Sequence, residues 1–83
     1  MDRVETFSKV IEIIRPFVKN TEALATATES TGILDELGVN SARLVDIVLD
    51  FEDKFEIEID DESADRVRTI GDAVQVIQEK LKG

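Results

Sequence analysis

Ser41 is the residue whose setting could carry chemistry. It lies in Leu37-Gly38-Val39-Asn40-Ser41-Ala42-Arg43-Leu44-Val45-Asp46-Ile47-Val48, a glycine turn followed by a helix-capping asparagine and an amphipathic pattern. A serine hydroxyl serves either as a nucleophile or as the anchor for a group added to it. The nucleophile needs a base to take its proton, and histidine is the usual one. This chain has no His, Cys, Tyr or Trp, and neither Lys19 nor Lys54 stands at a recognisable serine–lysine spacing. Paired carboxylates do acid–base work only in a cleft that shifts their pKa values, and no cleft is signalled. A calcium loop starting at Asp50 would need an oxygen donor where Lys54 stands and a glycine where Phe55 stands. The chain is therefore expected to be no enzyme and to hold no metal.

An anchor is better served. The first turn of a helix is exposed, and its unpaired N–H groups and partial positive charge favour a phosphate. A phosphodiester on Ser41 would be stabilised there. The same position also suits an ordinary helix-start serine, and these residues by themselves leave both uses open.

The elements that must position Ser41 are helical. Asp2 is placed to cap a first helix over residues 3–15, in which Val4, Phe7, Ile11, Ile14 and Val18 recur at helical spacing and Val10, Ile13 and Phe17 widen the stripe. Pro16 lacks an N–H and ends or kinks that helix. Residues 19–40 form a long connection, rich in threonine and broken by Gly32 and Gly38. One helical turn at 22–25 and a short turn at 34–37 are expected within it, with Ile33, Leu34 and Leu37 as anchors. Asn40 caps a second helix over 41–55. Its inward side is expected to be Leu44, Val45, Ile47, Val48, Phe51 and Phe55, with Leu49 left on the acidic side. Ile57 and Ile59 alternate with glutamates, yet the run is short and has no second strand to pair with, so it is expected to be an extended segment with both isoleucines buried. A short third helix follows over 61–67. Thr69-Ile70-Gly71-Asp72 then forms a capping box for a last helix that ends near Leu81, with Ile70, Ala73, Val74, Ile77 and Leu81 inward. The expected fold is all-α: one domain, 1–83, a small four-helix bundle with a long loop between the first two helices and a short third helix.

The formal net charge is −9 and is unevenly spread. Residues 35–65 hold twelve carboxylates against Arg43 and Lys54, a balance of −10; the other eight cations and seven carboxylates come to +1. An acidic block of this kind repels nucleic acid and anionic membranes and attracts basic protein patches. With no apolar run near ~18 residues and no apolar leader, no membrane span or signal peptide is expected, and the location is expected to be cytoplasmic.

These motifs together resemble the acyl carrier protein family. The resemblance rests on Glu36-Leu37-Gly38-Val39-Asn40-Ser41, on Leu44-Val45-Asp46-Ile47-Val48, and on Phe51-Glu52-Asp53-Lys54-Phe55-Glu56-Ile57-Glu58-Ile59. It continues through Asp61-Glu62-Ser63-Ala64-Asp65 and Thr69-Ile70-Gly71-Asp72-Ala73-Val74, covering about residues 32–78. It implies a carrier whose serine, here Ser41, receives 4′-phosphopantetheine from coenzyme A through a phosphopantetheinyl transferase. The arm then holds an acyl group as a thioester. The partners implied are acyl-activating, acyltransferase or ketosynthase enzymes of fatty-acid, lipid or polyketide synthesis. Their basic patches would dock on Asp46, Asp50, Glu52 and Asp53, with Leu49 as an apolar contact, and the carrier would be a monomer. The usual Asp-Ser-Leu reads Asn40-Ser41-Ala42, Arg43 adds a cation to the helix start, and Asp60 stands where many members have proline. These departures point to a specialised stand-alone carrier. Two other readings are an aminoacyl or peptidyl carrier of nonribosomal synthesis and an unmodified acidic interaction module.

Overall fold

The structure, a computed structural model, describes residues 2–82. Among the described residues there are five α-helices: α1 Arg3–Ile14, α2 Thr21–Ala25, α3 Leu44–Phe55, α4 Asp61–Asp65 and α5 Ile70–Leu81. Single 3₁₀ turns follow α1 at Arg15–Phe17 and precede α3 at Ser41–Arg43. Helices α1, α3, α4 and α5 are the expected small bundle, and α2 is the helical turn expected within the long connection. No strand forms among the described residues, and Ile57 and Ile59 lie in an extended segment as anticipated.

The helix ends follow the capping chemistry of the sequence. The Asp2 side chain accepts from the Glu5 N–H at 2.8 Å. At α5, Thr69 Oγ1 accepts from the Asp72 N–H and the Asp72 carboxylate accepts from the Thr69 N–H, both at 3.1 Å, completing the box with Asp in place of Glu. At Pro16 the α-helix has ended at Ile14 and the chain tightens into the 3₁₀ turn, which leaves Val18 extended and buried. The third helix is shorter than expected. It ends at Asp65, and the N–H groups of Arg66 and Val67 close tighter turns onto Ser63 and Ala64.

Helix α1 packs mainly on α5 and α3. The core comprises Val10, Ile14, Ile33, Leu37, Ile47, Phe51, Ile70, Val74 and Ile77, all fully buried. Four assignments to the inward side need correction. Val4 is exposed because the buried stripe of α1 runs through Thr6, Val10 and Ile14, and residue 4 falls well to one side of it. Val45 is 65% exposed for the same reason, lying about 100° around α3 from Leu44. Leu81 sits in the last turn of α5, at the edge of the core, and Leu34 points outward while Ile33 and Leu37 anchor the connection. Ile59 is buried and Ile57 only half-buried.

Thr6 is a buried polar residue inside the α1–α5 contact. Its hydroxyl donates to the Asp2 carbonyl at 3.0 Å and accepts from Gln78 Nε2 at 2.7 Å, so its burial is compensated.

The long connection is tied down by backbone bonds. The Ile33 N–H donates to the Arg68 carbonyl, and the N–H groups of Ile70 and Gly71 donate to Thr31 and Glu29 at 3.0 and 2.8 Å. The approach is so close at Gly71 that an added Cβ would stand 2.8 Å from the Glu29 carbonyl oxygen. Gly38 holds φ at 72°, a conformation glycine adopts without steric cost, and turns the chain toward Val39 and Asn40. The connection therefore delivers Ser41 at a defined place.

Candidate functional site

Asn40 is extended, and its side-chain oxygen accepts from the Ala42 N–H at 2.9 Å while its carbonyl accepts from the Arg43 N–H at 2.8 Å. This cap starts a 3₁₀ turn rather than the α-helix expected from Ser41 onward; α3 proper begins at Leu44. Ser41 is the first residue of that turn and is exposed. Its side chain is thus held at the entrance of α3 by a cap that belongs to its neighbour, so substituting Ser41 leaves the cap intact.

Beside Ser41 runs a groove of about 300 Å³ between α3 and the segment that leads into α4. Leu44, Val45, Val48 and Leu49 line it from α3, and Ile59 and Ala64 line it from the other side. Val45 and Leu49 are 65% and 55% exposed, an apolar lip in the middle of an acidic surface. The exposure of Val45 was legible on a helical wheel, since it lies off the stripe of Leu44, Val48, Phe51 and Phe55.

The five docking candidates divide between two faces of α3. Asp46, Asp50 and Asp53 fall at i, i+4 and i+7, one stripe that turns to solvent. Leu49 and Glu52 belong to the groove side instead. Two of the acids already have partners within the chain. Asp46 pairs with Arg43 at 3.1 Å, and one Glu52 oxygen accepts from the Ile59 N–H at 2.8 Å.

The far wall of the groove is held by ion pairs to α5. Asp60 pairs with Lys80 at 3.3 Å, and Arg66 with Glu79 at 3.2 Å. A hydrogen bond from the Ser63 side chain, and then Lys80, holds the Asp60 carboxyl below its ordinary value; Gln75 and then Arg66 do the same for Glu79. These groups brace α4 at both ends against the last two turns of α5.

Could this site hold a phosphopantetheinyl group? The exposed hydroxyl at the helix entrance offers an unobstructed attachment atom, and the apolar groove beside it suits a flexible, partly apolar arm. The residues present fit that group. The fold and this serine-bearing helix entrance define a small helical carrier.

Comparison with known proteins agrees. Residues 8–77 match the family of the phosphopantetheine attachment site. The chain is 40% identical over 79 residues to an acyl carrier protein of Thermotoga maritima, covering 95% of each chain. It is 46% identical over 54 residues to one from Phenylobacterium zucineum, covering 65% of this chain and 68% of that one. The crystal structure of the Thermotoga maritima acyl carrier protein superposes with a TM-score of 0.80 at 32% identity, over 99% of this chain and 93% of that one. The acyl carrier protein of Enterococcus faecalis superposes at 0.78 and 34% identity, over 96% and 99%. The chain belongs to the acyl carrier protein family. It carries acyl groups on a covalently bound 4′-phosphopantetheine, it serves biosynthetic enzymes, and it is not itself an enzyme. The aminoacyl-carrier and unmodified-module readings are not favoured. Among the described residues, no helix is long and apolar enough to cross a membrane.

Proposed function

We propose that Ser41 is the attachment residue and that the chain works as a specialised stand-alone carrier, monomeric and cytoplasmic. The observation that carries this is the exposed hydroxyl at the entrance of α3, beside an apolar groove and inside the family match. A phosphopantetheinyl transferase joins Ser41 Oγ to the phosphorus of coenzyme A that bears the pantetheine arm; a P–O bond of the pyrophosphate breaks and 3′,5′-ADP leaves. The serine proton goes to a base of the transferase, since this chain has no histidine. The 4′-phosphopantetheine then supplies the thiol that holds the acyl group.

Asp50 and Asp53 offer carboxylates to basic patches on acyl-activating, acyltransferase or ketosynthase partners, and Leu49 with Val45 offers an apolar contact next to the serine. Asp46 and Glu52 contribute less than their charge suggests, because Arg43 and Ile59 already engage them.

The test is intact mass after incubation with coenzyme A and a broad-specificity transferase, repeated with the transferase of the source organism. One phosphopantetheinyl group is expected on the wild type and none on Ser41→Ala. An adduct that persists in Ser41→Ala, or none with either transferase, overturns the assignment.

A further inference from the structure

Arg43 stands two residues beyond Ser41 on the same 3₁₀ turn, with its side chain 65% exposed and 3.1 Å from a half-exposed Asp46 carboxylate. Residues 43, 46, 50 and 53 are spaced by three, four and three, so they form one stripe along the turn and α3. The stripe has a direction. A cation lies at the serine end, Asp46 is neutralised by it, and Asp50 and Asp53 remain as exposed carboxylates without an ion pair among the described residues.

We infer that Arg43 is a specificity-determining contact for the transferase that modifies Ser41, which meets it with a carboxylate while reading Asp50 and Asp53 with cations. This rests on Ser41 being the attachment site. An enzyme that forms a bond to Ser41 Oγ must cover its surroundings, and two residues of 3₁₀ helix advance only about 4 Å. Arg43 therefore falls inside the footprint of that enzyme, whereas Asp53 lies at its far end. A partner with cations along the whole stripe would set like charge against Arg43, which excludes it. A partner with a carboxylate there gains a pair that the exposed Asp46 surrenders at little cost, because a surface ion pair is weak.

The alternative is that Arg43 merely braces the helix start through Asp46, and a charge swap separates the two. With the full chain, coenzyme A and the transferase of the source organism, kcat and KM are measured by mass for the wild type, R43Q, R43E, D46N and the double variant R43D/D46R, each checked for helicity. The swap keeps the internal pair but reverses the charge beside the serine. The inference expects R43E and the swap to raise KM by about tenfold with kcat within about threefold, and D46N to stay within about twofold. A wild-type KM in the swap, or D46N as damaging as R43Q, overturns it in favour of bracing. Unchanged KM in all Arg43 variants overturns it and leaves the Ser41 assignment standing. Failure of the wild type to take the adduct overturns both.

Discussion

One carboxylate oxygen of Glu52 accepts the backbone N–H of Ile59 at 2.8 Å, joining the last turn of α3 to the extended segment seven residues on. By charge alone Glu52 belongs with Asp50 and Asp53 as a surface acid. In the fold it satisfies a half-buried donor and fixes Ile59, which lines the groove beside Ser41. Glu52→Ala is therefore expected to cost about 1–2 kcal/mol of unfolding free energy. Glu52→Gln, which keeps an acceptor oxygen, should cost less, and Asp53→Ala should stay within about 0.5 kcal/mol. Urea titrations check the order; equal losses at positions 52 and 53 would reject it.

The cap at the entrance of α3 separates stability from function at adjacent residues. Asn40→Ala removes the acceptor for the Ala42 N–H and is expected to cost about 1 kcal/mol. Asn40→Asp should be near neutral. Ser41→Ala, which removes no cap, should melt within a degree or two of the wild type while losing the adduct. A large drop in the melting temperature of Ser41→Ala would show that the hydroxyl is structural.

Glu56 ends α3 with φ at 54°, a left-handed conformation that costs a non-glycine residue roughly 1–2 kcal/mol. Glycine escapes that cost but loses more backbone entropy on folding, about 0.5–1 kcal/mol. Glu56→Gly should therefore stabilise the chain by about 0.5–1 kcal/mol. Gly38→Ala, at φ 72°, should do the opposite by at least as much. Thermal unfolding of both variants is the measurement.

The braces of α4 predict a pH dependence. Asp60 and Glu79 have depressed carboxyl pKa values in the folded chain, below the ordinary values of about 3.9 and 4.3. A depressed carboxyl contributes its stabilisation fully above the unfolded pKa and loses it as the pH falls through the folded value. Asp60→Asn and Glu79→Gln should hence melt below the wild type above about pH 5. The gap should close as the pH drops below 4. Both groups are exposed, so the gap is small, and high salt should shrink it as well. A gap that is constant with pH would sink this assignment.

For docking, Asp50→Lys with Asp53→Lys should weaken partner enzymes at low salt, and the loss should diminish as ionic strength rises. Leu49→Ala should also weaken them, but independently of salt, because its contribution is apolar burial. A salt-dependent Leu49 effect, or no effect of the double reversal, would remove α3 as the docking face.

Much of this protein was determined by the sequence alone. Caps, breakers and apolar periodicity act over three or four residues, so Asp2, Asn40 and the Thr69–Asp72 box declare the helices before any packing is known. The absence of His, Cys, Tyr and Trp took away the usual base for a nucleophilic serine, and the motif around Ser41 marked the proposed attachment site. What the tertiary structure decided is which side chains were already engaged. Arg43 neutralises Asp46, Ile59 claims Glu52, and Thr6 rather than Val4 joins Val10 and Ile14 in the buried stripe of α1. Those outcomes depend on where separate segments meet, as at Glu29 and Gly71, or on angles around a helix that a list of apolar positions blurs. Charge can be counted along a chain, whereas the groups left for a partner emerge only after the fold has used its own.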